Sequence, residues 1–368
     1  MRPGSAIPWT PQCHGGVNPY GGLKFNQRTL APRIGFAFIY AIEPRSYTPY
    51  ADQWGLLLGQ RLWPRLTLEI AGMGSMGIHL YETYDANQPY PAPTPYAYPR
   101  YPYAAYTSRI EYLGFAGGST YYGGQLKLDG EPASGPRLLV TYRYAKSLDD
   151  STAPGSGQDS RPPTPQFIYH LRANRSPSPF DIAERLVFTA SYDLPFQGAR
   201  TGAGTGSRRL HAIIENWRVS TVITVQTGYP FTPQLAVNSL NNGGYRLPDR
   251  VANGSAPANQ RSYRHWFNTS LDPLDPAREF AIPALYQYGN SGFDILRGPG
   301  LASADAALGR RFSVGERLRL QMRHDVFNLL NQTNFALPNR ILGVESTGVI
   351  SHTSTSARQL EVLARAEW

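Results

Sequence analysis

Side chains alternate between apolar and polar with a period of two along ten separate stretches of this 368-residue chain. That period places successive side chains on opposite faces of an extended strand, so each stretch is predicted to form a strand with one apolar and one polar face. The stretches are residues 30–42, 53–62, 66–76, 120–129, 137–147, 185–194, 216–227, 303–312, 317–327 and 359–368. In 137–147, Leu138, Val140, Tyr142 and Tyr144 stand opposite Arg137, Thr141 and Arg143. In 317–327, Leu318, Leu320, Met322 and Val326 stand opposite Arg319, Gln321, Arg323 and Asp325. Strands of soluble domains usually run ~5–6 residues, whereas a tilted strand needs ~9–11 to cross a bilayer. These stretches have the second length.

The connections between the stretches alternate in length. Trp63-Pro64-Arg65, residues 130–136 and Ser313-Val314-Gly315-Glu316 are short, while 77–119, 148–184, 228–302 and 328–358 are long. The connection 195–215 is intermediate and Gly-rich. Short turns at one end and long loops at the other is the arrangement of outer-membrane barrels. Its cause is physical: lipid offers no hydrogen bonds, so every strand must pair and the sheet must close. The expected fold is therefore all-β, an antiparallel transmembrane β-barrel segment of about ten strands with long extracellular loops and short periplasmic turns. Trp54, Trp217 and Trp368 are expected at headgroup depth.

Composition agrees. Gly (36), Pro (32) and Tyr (24) are abundant and only 17% of residues are charged, a mixture that disfavours helices. No run approaches the ~20 apolar residues of a membrane helix. The formal charge is +9, but basic residues are scattered and only Arg208-Arg209 and Arg310-Arg311 are adjacent. No nucleic acid is expected as a partner, and the arginines are assigned to loops and lumen walls. Cys13 is the only cysteine, so no intrachain disulfide can form.

The seven histidines (His14, His79, His170, His211, His265, His324, His352) share no metal-ligand spacing and are assigned to loops or lumen. Gly202-x-Gly204-x-Gly206 is not a dinucleotide fingerprint, and Gly74-Ser75-Met76-Gly77 misses a nucleophile elbow by one position. No enzyme, cofactor or metal is expected. Residues 87–106 hold six prolines and six tyrosines, a composition that favours extended polyproline II backbone. Tyr90, Tyr96, Tyr98, Tyr101 and Tyr103 are the candidate ligand-contact residues, as rings available for stacking at the pore mouth.

Several stretches, in order, resemble the barrel of Oar-like TonB-dependent receptors. They are Leu30-Ala31-Pro32-Arg33-Ile34-Gly35-Phe36-Ala37, the segment from Ala71 to Leu80, Thr141 to Asp149, Phe180-Asp181 with Arg185 to Pro195, and Asn216 to Thr232. Gly289-Asn290-Ser291 with Leu296-Arg297-Gly298-Pro299-Gly300, and Val326 to Asn331, continue the series. The resemblance implies a bacterial outer-membrane receptor that takes up a substrate with energy delivered through TonB. It also implies that the chain is a C-terminal portion, with residues 1–29 an irregular lead-in and 30–368 the barrel. The start Met1-Arg2-Pro3-Gly4-Ser5 has no signal-like apolar core, and the plug region that would meet TonB is not recognised in this sequence. Outer-membrane lipid and the barrel assembly machinery are the implied partners. The closing run Leu360, Val362, Ala364, Ala366, Trp368 resembles the carboxy-terminal assembly signal of such barrels. Two other readings fit the strand pattern: a small, self-closing ten-stranded porin and a secreted β-rich adhesin or binding module.

Overall fold

In the computed structural model, which describes residues 39–94, 100–106, 108–132, 135–150, 165–195, 216–314 and 318–368, nine of the ten stretches become long strands. They are β1 (Tyr50–Trp63), β2 (Leu66–Asp85), β3 (Ile110–Gly130), β4 (Arg137–Asp149), β5 (Glu184–Asp193), β6 (Trp217–Gln226), β7 (Leu301–Val314), β8 (Leu318–Phe327) and β9 (Gln359–Glu367). Each pairs antiparallel with its neighbour in sequence, giving an up-and-down wall from β1 to β9. Among the described residues the only helical elements are two short 3₁₀ turns, Leu171–Asn174 and Ala258–Gln260.

Two expectations need correction. Of the stretch 30–42, residues 30–38 lie outside the described residues. Ile39–Ile42 pairs parallel with Ile110–Leu113 rather than joining the antiparallel meander beside β1. It lies against the outer end of β3, where Glu43 continues the contact by accepting a hydrogen bond from the Phe115 N–H at 3.0 Å. The loop expected over 77–119 is also shorter, because β2 runs to Asp85 and β3 begins at Ile110. Register shifts at Gly77, Leu80 and Glu82 and a left-handed His79 (φ 57°) mark an irregular bulge there. An extra residue in one strand breaks the period of two, so alternation stops before the strand does.

The ladder fixes which way each side chain points. Across the last four strands, Trp217, Arg310, Met322 and Ala364 form one row, and Arg218, Gly309 and Arg323 form the adjacent row on the opposite face. The first face continues through Val219, Leu308 and Val362 and faces lipid; the second is the lumen side. Lipid-facing residues are exposed in the isolated chain, Leu56 at 64% and Leu360 at 72%. His324, assigned to loop or lumen, instead stands on the lipid face, opposite Leu308 and Val362. The alternation of β8 dictates that position.

The buried core lies outside the wall. Phe231, Leu235, Phe267, Phe280 and Leu296 of the β6–β7 connection pack with Leu342 of the β8–β9 connection, all nearly inaccessible to water. Phe231 and Phe267 meet at 5.4 Å and 66°, a favourable edge-on geometry. Three two-residue ladders frame this core: Pro230–Phe231 with Leu296–Arg297, Asp249–Arg250 with Phe280–Ala281, and Gln234–Leu235 with Ile341–Leu342. Gly254 holds φ +84°, and a Cβ on it would meet the Phe280 ring at 2.6 Å. The long loops thus form a folded cap on the outer end of the wall.

Candidate functional site

The cap is bound to the wall through a few buried polar residues. Asp181, 2% exposed, accepts the Ser147 N–H at 2.7 Å and forms an ion pair with Arg297. Arg297 also donates to the Asp181 carbonyl at 2.7 Å and to the Gly228 carbonyl at 3.3 Å. One buried junction therefore ties the end of β4, the β4–β5 loop and both ends of the β6–β7 loop. Charge-assisted bonds of this kind are the strong ones. All four of its segments were singled out in the sequence by family resemblance. The pairing of Asp181 with Arg297, 116 residues apart, carries no spacing signal.

Asparagines in the Asn328-Leu329-Leu330-Asn331-Gln332-Thr333-Asn334 run anchor the last loop. Asn334 exchanges two hydrogen bonds with the Ala302 backbone (2.9 and 3.0 Å), imitating a strand pair at the top of β7. Asn331 accepts the Arg358 N–H at 3.0 Å, and Asn328 bonds the Gln332 and Ser356 carbonyls at 3.0 and 3.1 Å. Asn328 and Asn331 both adopt φ 50°, a region asparagine tolerates better than most residues. The family resemblance covers Val326 to Asn331 and stops short of Asn334; Asn recurring every third residue is the sequence signal of the anchor.

The tyrosine-rich segment follows a different course from a free stiff loop. Tyr96 and Tyr98 lie outside the described residues. Tyr90 stacks face to face on Tyr169 of the β4–β5 loop, centroids 4.2 Å apart and planes 6° apart. Phe167 meets Tyr169 edge-on at 5.9 Å and stacks on Tyr288 at 4.6 Å. Tyr103 instead donates its backbone N–H to Asn87 at 2.9 Å. Of the five candidates, then, Tyr90 joins an aromatic row whose other members the sequence did not flag. Arg100 donates to the carbonyls of Tyr90 (2.6 Å) and Asn241 (3.0 Å), and Asn241 donates to those of Ala92 and Thr94 (3.0 and 2.9 Å). These bonds staple the segment to the cap. Burial pushes the Tyr169 and Tyr288 hydroxyls up, so both rings stay neutral as stacking surfaces.

In the part of β2 that runs past its alternating stretch 66–76, Glu82 is buried at 2% exposure with no hydrogen-bond partner for Oε2. Burial first, and then the Asp150 carboxylate, push its pKa up to about 8. Asp85, buried as well, is raised by burial against the opposing pull of its bonds from Asn87 and Ile110 N–H.

The lumen face near the short turns is basic. A concavity of about 840 Å³ at this end of the wall is lined by Arg218, Arg311, Arg323 and Arg365 with Asp193 and Glu367, and also by Arg310, Phe312 and Leu320 of the opposite face. Arg218 holds Asp193 bidentately at 2.6 and 2.7 Å, and Arg365 pairs with Glu367 at 3.1 Å. At the end of the wall, β9 pairs with β8, places Leu360, Val362, Ala364 and Ala366 on the lipid face, and leaves Trp368 94% exposed.

A meander of long strands with lipid-facing apolar rows and a folded loop cap defines a membrane β-barrel. Residues 31–361 match the family described as "Outer membrane beta barrel domain", and the chain belongs to it. Its place is the bacterial outer membrane. Among solved structures, the outer membrane transporter YddB from Escherichia coli is similar at 10% identity and a TM-score of 0.47, over 90% of this chain and 34% of that one. The ferric-catecholate import receptor Fiu from K12 E. coli is 12% identical with a TM-score of 0.39, over 87% and 27%. P. aeruginosa FpvA, solved bound to heterologous pyoverdines, is 12% identical with a TM-score of 0.31, over 87% and 30%. The chain therefore spans about a third of each of these proteins. No curated protein matches it by sequence.

Proposed function

We propose that the chain is the C-terminal barrel portion, residues 30–368, of an Oar-like TonB-dependent receptor that takes up a substrate across the outer membrane. The observation that carries this reading is the Asp181–Arg297 junction. Four segments that resemble the receptor family meet there, and they hold a structured cap over the outer end of the lumen. A cap of this kind suits capture of a ligand before entry, with Tyr90 and the tyrosines beside it as contact residues. The basic lumen face favours anionic groups on whatever passes. TonB engages such receptors through a plug preceding the barrel, so its contact belongs to the whole gene product. Barrel insertion depends on the assembly machinery reading Leu360, Val362, Ala364, Ala366 and Trp368. The role is uptake rather than catalysis.

The test is capture by the periplasmic domain of TonB. The product of the whole gene, purified from the outer membrane, is expected to bind it, and residues 39–368 expressed alone are not. Failure of the whole product to bind overturns TonB dependence. A monodisperse, ion-conducting barrel formed by this chain alone favours the self-closing porin instead.

A further inference from the structure

Two arginines stand directly opposite each other on the lumen side of the wall. Arg143 of β4 is the ladder partner of Arg185 of β5. Tyr142 and Leu186, one residue along, form a lipid-facing pair, so alternation turns both arginines inward. The row continues through Gln125 of β3 on one side and Gln226 of β6 on the other. It lies just under the cap, since Arg185 is the second residue of β5 and follows Asp181 of the buried junction by four positions.

Like charges directly opposite across a ladder repel, and the wall does not offset this pair. Among the described residues neither guanidinium has an ion pair, and the Arg143 Nε is buried with no hydrogen-bond partner. Carboxylates on the same face are already held. Glu69 and Asp129, on lower rows, pair with Lys127 at 3.2 and 3.7 Å, and Asp181 above pairs with Arg297. Glu184, beside Arg185 in sequence, falls on the other face, opposite Tyr144. The row above is built from small residues, Gly123 facing Ala145. A Cβ on Gly123 would meet the Ala145 Cβ at 2.9 Å and the Tyr121 hydroxyl at 3.0 Å. Glycine there lets that hydroxyl lie along the strand toward Gln125. Tyr121, Gln125, Arg143, Arg185 and Gln226 thus bring hydroxyl, amide and guanidinium donors to one patch, and among the described residues none of these side chains is bonded to another protein group.

We infer that this row is a binding site for an oxyanion, a carboxylate or phosphate group on the ligand that is taken up, received just below the cap. The inference rests on the uptake reading and names the chemistry of what is carried. Each guanidinium presents a planar fork that matches two oxygens of such a group. The Cβ atoms of directly opposed residues lie about 4.5–5.5 Å apart, so both forks can close on one anion. Its charge removes the repulsion between the two cations, and Tyr121, Gln125 and Gln226 donate to the oxygens that remain.

The experiment uses the full-length protein extracted from the outer membrane in detergent at low ionic strength. It is titrated calorimetrically with citrate and with pyrophosphate, and a heat-modifiable gel shift confirms that each variant is folded. The wild type is expected to bind at least one probe, citrate marking a carboxylate site and pyrophosphate a phosphate site. Arg143→Gln and Arg185→Gln are each expected to weaken that binding by about tenfold or more, with Arg143→Lys in between. Lys146→Gln, on the lipid face of β4 opposite Tyr122, binds like the wild type, and the uncharged ester triethyl citrate is not bound. If Arg143→Gln does not insert, Arg185→Gln against Lys146→Gln carries the comparison, since Arg185 is exposed. Unchanged affinity in the arginine variants overturns the site. So does a wild type that binds neither probe; lowered thermal stability of the glutamine variants then assigns the pair to a carboxylate elsewhere in the full-length protein. TonB takes no part in this titration, so failure of anion binding and failure of TonB capture are separate results.

Discussion

The wall and the cap solve the same problem in opposite ways. Both must satisfy every backbone group, and both are rich in apolar side chains. In the wall, hydrogen bonding runs strand to strand and the apolar rows point outward, Leu58 in the row of Ile70. In the cap, strands are two residues long and hydrogen bonds come largely from Asn, Asp, Gln and Arg side chains, while Phe280 is fully buried. The solvent explains the difference. Lipid supplies the wall's apolar surroundings, so the wall needs no core of its own; the cap faces water and must build one.

Large-to-small substitution exposes this contrast most strongly. Phe280→Ala is expected to cost roughly 3–5 kcal/mol of cap stability, because it removes a ring from a packed interior and leaves a cavity. Leu58→Ala, on the lipid face of β1, is expected to cost about 1 kcal/mol or less, since lipid fills the space. Protease nicking of the loops and heat-modifiable gel mobility report the two regions separately. Phe280→Ala should open the loops to protease and leave the gel shift intact. Equal penalties at the two positions would break the distinction between a water-built core and a lipid-solvated wall.

Charge insertion sharpens the facing of the wall. Leu320 points to lipid and Gln321 to the basic lumen, where its ladder partners are Arg311 and Arg365. Leu320 is the third residue of β8, near the short-turn end, so Leu320→Arg should cost about 1 kcal/mol and Gln321→Arg less. Urea unfolding of the barrel in lipid vesicles measures both. A larger penalty at Gln321 would reverse the assignment of the two faces.

These two regions were also unequally legible in sequence. The wall was visible because a period of two is a local signal: Leu318, Leu320 and Met322 announce a face without knowledge of any partner. Its outer margins were not, since the bulge around His79 cancels the period while β2 continues to Asp85. The cap core was invisible because Phe231, Phe267, Phe280 and Leu342 follow no period and meet only through tertiary folding. Arg310 was legible in principle. Two adjacent arginines in a strand cannot share a face, yet the basic pair was assigned as a unit.

Glu82 offers a test at the seam between wall and cap. Its folded pKa of about 8 stands above its ordinary 4.5. Between these values the folded chain holds a proton that the unfolded chain has released. Stability therefore falls as pH rises from about 4.5 to about 8, and the full penalty applies above that window. Glu82→Gln keeps the neutral shape, so it should flatten this dependence and stabilise the outer end of the wall by about 1–3 kcal/mol at alkaline pH. Hydrogen exchange of the β2–β3 ends at acid and alkaline pH reports it. Protection of the wild type that rises across this interval would contradict a proton held at Glu82.

The smallest effect concerns Trp368, where the wall ends without a cap. Its ring is almost wholly exposed, and no contact among the described residues holds it. Two roles suit a tryptophan at this depth: anchoring in the interface, which any membrane-boundary tryptophan does, and recognition by the assembly machinery. They separate by where insertion is measured. An anchor acts on the finished barrel, so losing it weakens insertion equally in cells and into bare lipid vesicles. A recognition signal acts only when the machinery is present. Deleting Trp368 from the whole gene product is expected to lower outer-membrane levels severalfold, a factor worth about 1 kcal/mol, with synthesis and export unchanged. Trp368→Phe should keep most of the signal, because an aromatic ring at the end of the Leu360–Ala366 face is retained. Spontaneous insertion into vesicles should hardly change on deletion. An equal loss in vesicles and in cells would reduce Trp368 to an interfacial anchor. Wild-type levels in cells would remove both roles and leave the lipid-facing row of β9 to specify insertion alone.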